Sequence, residues 1–182
     1  GVPVRGYTGN WSPHAAPEDH MARNWVVVGG PEIFAKTREL GFTRHGFKST
    51  RRNMANSIQP GDLLAFYVTG RKQFAAIARV TTPVVEEHTR IWQSDKKPNE
   101  LDPYRAGIEK VIVLDDDQWL DAEPYHDRFQ WTQKWPRANW TLAYQGNLHP
   151  IPPEDMDLLL KDMRKAAGAE AGSPPKSRSG RT

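Results

Sequence analysis

Two apolar runs separated by a short polar turn constrain this chain most. Asp62–Thr69 and Gln73–Val80 are both rich in apolar residues, and Gly70-Arg71-Lys72 between them reads as the tip of a β-hairpin. Further strands are expected around it. Trp25-Val-Val-Val28 is a short apolar run ended by Gly29-Gly30-Pro31, the pattern of a buried strand leading into a sharp loop. Ile108–Leu114 shows β-branched alternation and stops at Asp115-Asp116-Asp117, and Trp140–Tyr144 reads as a further short strand.

Helical spacing marks three other segments. Glu32–Leu40 places Ile33 and Phe34 on one side, with Gly41 as its stop. Ser49 or Thr50 can cap a second helix on which Met54 and Ile58 lie one turn apart. The third is the clearest. Pro152-Pro153 lead in, Glu154 and Asp155 occupy the first turn, and Met156, Leu159, Leu160 and Met163 share one face before Arg164 and Lys165. About five or six strands with two or three helices make an α+β fold built on a small barrel or curled sheet.

A chain of 182 residues suits one domain with tail to spare. That domain is expected over 21–165. Residues 1–20 read as a disordered extension, with Met21 a candidate native start, and 166–182 as a disordered basic tail. The complete lack of Cys excludes disulfide scaffolds, Cys-ligated zinc, iron–sulfur clusters and thiol catalysis. No stretch approaches the roughly 18 apolar residues of a membrane-spanning helix, and no secretory signal is visible, so the expected location is the cytoplasm.

The net charge of +3 is unevenly placed. Residues 36–52 hold Lys36, Arg38, Arg44, Lys48, Arg51 and Arg52 against Glu39 alone, a local net of +5. A local basic surface points to a polyanionic partner, and a solvated face with acids nearby in space is the plain alternative. With Ser49 or Thr50 as a cap, Arg51 and Arg52 fall in a first helical turn, where cations oppose the macrodipole. An anion docking there relieves the conflict, and a phosphate is the natural one.

The chemistry-bearing residue types form no catalytic pattern. No pair among the six His has the spacing of a helical metal site, and Glu86-Glu87-His88 has ligand types but no partner in sequence. A Gly-x-Ser-x-Gly elbow and a phosphate-loop signature are both absent. The triple Asp at 115–117 suits Mg²⁺ or, more simply, a solvated turn. No metal or cofactor is expected. The aromatics do cluster: Trp92, Trp119, Trp131, Trp135 and Trp140 crowd the second half beside Tyr104, Tyr125, Phe129 and Tyr144. Such rings either pack the core or stack on bases, each stack being worth roughly 1–3 kcal/mol.

Taken in order, several motifs resemble the EVE domain family of the PUA-like superfamily, related to YTH and SRA modules. They are Asn24-Trp-Val-Val-Val-Gly-Gly-Pro-Glu32, Gly46-Phe-Lys-Ser49, Ile58-Gln-Pro-Gly-Asp62, Phe66-Tyr-Val-Thr-Gly70 and Ala75-Ala-Ile-Ala-Arg-Val80. Asp102-Pro-Tyr-Arg105, Trp140-Thr-Leu-Ala-Tyr144 and the Pro-Pro-Glu-Asp helix complete the match, from about Arg23 to Met163. The resemblance implies a PUA-like curled barrel and a pocket for one nucleobase, often modified. Carried over, that pocket comprises Val28, Gly29, Gly30, Pro31, Phe47, Lys48, Ser49 and Trp92, with Tyr104 and Trp140 beyond them. Arg44, Lys48, Arg51 and Arg52 face phosphates. Arg44-His45 stands where the family often has a Trp, Gly-Gly-Pro replaces side-chain donors in the first loop, and Asp115–Asn139 is long and aromatic.

The resulting expectation is a non-enzymatic nucleic-acid reader that flips one modified base into an aromatic pocket, 5-methylcytosine in DNA being the first choice. A reader of modified RNA is the alternative within that class. A hydrolase or nucleotide-processing enzyme using Asp62, Asp115 or His45 is the alternative outside it, and a protein-interaction module presenting exposed Trp residues is the third.

Overall fold

The computed structural model describes residues 21–171. Among them the strands are β1 (Asn24–Gly29), β2 (Arg44–Phe47), β3 (Leu63–Val68), β4 (Gln73–Val80), β5 (Val85–Glu86), β6 (Tyr104–Val113), β7 (Leu120–Asp121) and β8 (Leu148–Ile151). The α-helices are α1 (Pro31–Glu39), α2 (Arg52–Asn56) and α3 (Pro153–Ala171). One sheet runs in the order β2-β6-β4-β3-β1-β8, with β5 added on β6 and β7 on β4. β1 lies parallel to β3, and every other pairing is antiparallel. The fold is α+β, a curled half-barrel of six principal strands.

The expected hairpin is β3–β4, and its reversal is carried by Gly70 at φ 84° and Lys72 at φ 55°. Irregularities between Phe66 and Tyr67 and between Ile77 and Ala78 bend the central strands, as an extra residue in one strand of a pair does. Curling lets Phe74–Ala78 bury completely. Under α1, Phe34 meets Phe42, Phe66 and Trp119 edge-on at 5.6, 5.9 and 5.4 Å. The curl also brings the two edge strands together at Asn147. Its Nδ2 donates to the Val28 carbonyl at 2.8 Å, and its Oδ1 accepts from the Lys48 amide just past β2 at 3.0 Å.

Four expectations are corrected. Trp140–Tyr144 is not a strand but part of a 3-10 segment, Arg137–Tyr144, that follows Pro136 and buries Tyr144 flat on Tyr67, centroids 4.1 Å apart. The strand lies later, at β8. Its Pro150 disguises it, yet β8 is an edge strand paired with β1 alone, where a missing N–H is tolerated. Neither Ser49 nor Thr50 caps a helix: Ser49–Arg51 is a 3-10 turn, and α2 begins at Arg52 without a side-chain cap and ends before Ile58. Finally, α3 does not close at Arg164 and Lys165 but continues through Ala171, with Ala166 and Ala167 packed on the core. The expected extension at 1–20 and the rest of the tail from 172 lie outside the described residues.

Candidate functional site

A cleft of about 470 Å³ opens where the parallel strands β1 and β3 end. Its floor is the strand-to-helix passage from Val28 to Ile33, and one wall is Thr69 and Gly70 at the hairpin tip. The other wall is Lys48, with Ser94, Lys96 and Lys97 from the loop between β5 and β6. Pro31 sets the first turn of α1, and the Thr69 amide donates to the Gly29 carbonyl at 2.9 Å, so floor and wall are tied by backbone. Apolar Val28 and Ile33 thus sit beneath a rim of three lysines.

Lys48 is held from below. Its ammonium lies 3.0 and 3.2 Å from the two oxygens of Asp102, which is 1 % exposed. Burial pushes the Asp102 carboxyl up from its ordinary value, and the Lys48 charge and hydrogen bond oppose this. Gly46 is required beside them, since a Cβ there would stand 2.5 Å from the Asp102 carbonyl oxygen and 3.0 Å from the Trp92 ring.

The loop bearing Lys96 and Lys97 is anchored by Arg105, itself 1 % exposed. Arg105 donates to the Asp102 carbonyl at 3.0 Å, Thr89 Oγ1 at 2.7 Å and the Leu101 carbonyl at 2.9 Å, and also to the Thr89 carbonyl. Its guanidinium lies 5.1 Å from the Trp92 ring centroid. The Asp102-Pro-Tyr-Arg105 motif is therefore structural in its immediate contacts.

Of the residues expected in a base pocket, the structure gathers Val28, Gly29, Gly30, Pro31 and Lys48 on one cleft. The aromatic ones lie elsewhere. Phe47 is fully buried and meets His45 edge-on at 5.4 Å. Trp92 is fully buried too, its indole donating to Thr37 Oγ1 at 2.9 Å. Tyr104 is buried opposite Phe47 in the β2–β6 ladder, and Trp140 packs half-buried on Tyr144 at 5.9 Å. The expected aromatic wall is replaced here by aliphatic surface and peptide edges, because these rings are consumed by the core.

Ser49 does not line the cleft and is engaged instead by Glu100. The Glu100 carboxylate accepts from the Ser49 amide at 3.0 Å and the Ser49 hydroxyl at 2.7 Å. An internal carboxylate thus takes the amide where an external anion was expected.

The basic window is largely compensated across space. Lys36 pairs with Glu39, Arg38 with Asp116, Arg44 with Glu87 and Lys48 with Asp102. Among the described residues Arg51 and Arg52, of the four expected phosphate ligands, have no ion pair; Arg52 is exposed, whereas the Arg51 guanidinium packs beside Gly146. Sequence reasoning did not single out Ile33, Thr69, Ser94, Lys96 or Lys97. The adjacent lysines before Pro98 were the available signal, but nothing local ties that loop to β1.

The groups considered for catalysis do not line this cleft. His45 is buried, its Nδ1 2.6 Å from Thr37 Oγ1, and burial with the nearby Lys48 charge lowers its pKa to about 3. Asp62 accepts from the Arg23 and Gln59 amides and from the Trp25 indole at 2.9, 3.0 and 3.0 Å. Asp115 caps the 3-10 turn Asp116–Gln118. Among the described residues no three His, Asp or Glu converge as metal ligands, and no helix is long and apolar enough to cross a membrane.

Comparison with solved structures supports the fold. The chain is similar to the YTH domain-containing protein mmi1 in its complex with RNA, at TM-score 0.61 and 11 % identity, over 87 % of this chain and 93 % of that one. It is also similar to a hypothetical protein from Leishmania major, at TM-score 0.56 and 15 % identity over 81 % and 98 % of the two chains. A protein from Rhodopseudomonas palustris solved by NMR gives TM-score 0.52 and 14 % identity over 79 % and 94 %. No curated protein matches the sequence significantly. The EVE domain model matches residues 23–162, which take in every principal strand, and with this coverage the chain belongs to the EVE domain family, within the PUA-like superfamily.

Proposed function

We propose that this protein binds nucleic acid without chemical turnover and holds one modified base, first of all a methylated cytosine in DNA, in the cleft at the ends of β1 and β3. The observation that carries the reading is the cleft itself: about 470 Å³, apolar at Val28 and Ile33, and rimmed by Lys48, Lys96 and Lys97. A space of that size accepts a single base. Gly29 and Gly30, without side chains, let a base approach the backbone closely, and the exposed Lys96 and Lys97 supply charge for flanking phosphates. A methyl group against the aliphatic floor gains about 0.8 kcal/mol, or about fourfold in affinity. Extracting a base from a duplex costs a few kcal/mol, so the first-choice ligand is bound most tightly where the base is already unpaired.

RNA is the second arm of this reading, supported by the likeness in fold to a YTH protein solved with RNA. The test is a binding series with matched DNA and RNA oligonucleotides, each with and without the methylated base, followed by recovery of the nucleic acid. Methyl-dependent binding of intact DNA supports the proposal. Equal affinity for all four ligands, or cleavage of any of them, contradicts it.

A further inference from the structure

A second cleft, of about 360 Å³, lies against β8 and is lined by Gln130, Trp131, Lys134, Trp135, His149 and Pro150. The segment that lines it is anchored by α3. The Asp155 carboxylate accepts from the Gln130 and Trp131 amides at 2.9 Å, and Asp162 accepts from the Tyr125 hydroxyl at 2.6 Å. The long aromatic segment 115–139 is thereby docked as a fixed wall.

Three features set this place apart. First, it presents aromatic surface, Trp131 and Trp135 meeting edge-on at 6.0 Å, both half-buried. Secondly, it is basic: Lys134 lies 4.6 Å from the Trp135 ring centroid, and neither Lys134 nor the nearby Arg51 has an ion pair among the described residues.

Thirdly, its polar groups are unsatisfied. Of the five buried side-chain N or O atoms without a hydrogen bond among the described residues, four belong to this neighbourhood: Trp131 Nε1, His149 Nε2, Tyr144 Oη and Arg51 Nε. Trp131 stacks on His149 at 5.5 Å and meets Tyr144 at 5.2 Å, while the Arg51 guanidinium packs where Gly146 leaves room. Burial keeps the His149 imidazole below its ordinary value despite a backbone hydrogen bond to Gln145, with Arg51 and Lys134 also opposing its charge. A neutral ring that donates to Gln145 leaves Nε2 as an acceptor. Buried groups of this kind ordinarily have partners. Here no hydrogen bond fixes the Trp131 indole N–H or the His149 Nε2, so a small opening of this stacked pair exposes one donor and one acceptor to an incoming flat ring.

We infer that this cleft is a second nucleotide subsite, taking an unpaired base of the strand whose neighbour occupies the first cleft, with the base on Trp131 and Trp135 and its phosphate toward Lys134 and Arg51. The inference rests on the nucleic-acid reading above. The two clefts are linked by one short stretch of chain: Asn147, just before β8, binds Val28 and Lys48, which line the first, and His149, two residues on, lines the second. Stacked bases are roughly 3.4 Å apart, so a strand seated in the first cleft reaches the second within a few nucleotides.

The test uses fluorescence anisotropy with the full chain and two single-stranded DNA oligonucleotides carrying one methylated cytosine. In one the flanking nucleotides are natural; in the other they are abasic. Natural flanks should tighten binding by about tenfold, and Trp135→Ala should remove that gain while leaving the abasic oligonucleotide unaffected. Lys134→Glu, at an exposed position, should weaken both oligonucleotides and flatten their salt dependence. If both oligonucleotides bind but natural flanks add nothing, or Trp135→Ala and Lys134→Glu change neither affinity, the second subsite is wrong and the first-cleft reading stands. If neither oligonucleotide binds, both readings fall.

Discussion

The Asn147 side chain accepts a hydrogen bond from the Lys48 amide at 3.0 Å, and through it the two edges of the curled sheet are joined. The same side-chain amide donates to the Val28 carbonyl at 2.8 Å, and the Asn147 backbone carbonyl accepts from the Val28 amide at 2.8 Å. One buried residue therefore positions both the floor and the wall of the first cleft. Asn147→Ala should destabilise the fold by about 2–3 kcal/mol, since it strands a donor and an acceptor. In a domain of this size that lowers the melting temperature by about 5–10 °C, as thermal denaturation will show. An unchanged melting temperature contradicts the stapling role.

Lys48 and Asp102 form a pair in which the carboxylate is nearly inaccessible. Lys48→Met leaves that charge buried alone and should cost about 3 kcal/mol. Asp102→Asn in the Lys48→Met background should recover most of the loss, because no uncompensated charge remains. Chemical denaturation of the two single variants and the double variant closes the cycle. Additive losses contradict the pairing.

Burial pushes the Glu100 carboxyl up, but hydrogen bonds from the Ser49 side chain and amide and from the Asp102 amide, with the Lys48 charge, hold it below its ordinary value of 4.5. A carboxyl depressed in the folded state favours folding when ionised. Its contribution is complete above the unfolded pKa and disappears as pH falls through the folded one. Denaturation midpoints of the wild type should therefore drop below about pH 4.5, and Glu100→Gln should make that drop shallower. Parallel curves for the two proteins contradict this role for Glu100.

His45 behaves in the opposite chemical sense with the same outcome. A base whose pKa is lowered from 6.5 to about 3 binds protons in the unfolded state first. Its stabilising contribution is present above pH 6.5 and is lost as pH falls toward 3. The Trp92 indole donates to Thr37 Oγ1, and the Thr37 hydroxyl lies 2.6 Å from His45 Nδ1; donation from that hydroxyl to Nδ1 selects the Nε2–H tautomer. Imidazole ¹⁵N shifts should show a neutral Nε2–H ring from about pH 8 down to about pH 5. A midpoint near 6.5 contradicts the assignment.

The order of the motifs and the hairpin were legible in the sequence because both are local. Alternation and a Gly-containing tip define β3 and β4 within one residue of their observed ends. Strand β8 was hidden by Pro150, and Trp140–Tyr144 imitated a strand through its aromatic and β-branched residues. The cleft was half legible. Val28–Pro31 and Lys48 sit on motifs, whereas Lys96 and Lys97 reach it only because Arg105 anchors their loop from the opposite side. Whether an aromatic ring lines a cleft or fills a core depends on which face of a curled sheet it occupies. Spacing alone does not determine that for Phe47 or Trp92. Charge was legible only as two alternatives for the same reason: that Arg38 and Arg44 meet Asp116 and Glu87, the compensated face, depends on contacts across the fold.

A methylated base seated at the ends of β1 and β3, above a lysine rim, has one decisive signature in binding. It is the affinity of the wild type and of the doubly substituted Lys96→Glu, Lys97→Glu variant for one DNA oligonucleotide, methylated and unmethylated, across a salt series. The wild type should bind the methylated form about fourfold more tightly. The variant should bind both forms more weakly, with the salt slope reduced by about one for each phosphate it no longer neutralises. Equal affinity for the two forms, or a variant indistinguishable from the wild type at every salt concentration, would contradict a methyl-reading cleft with a lysine rim.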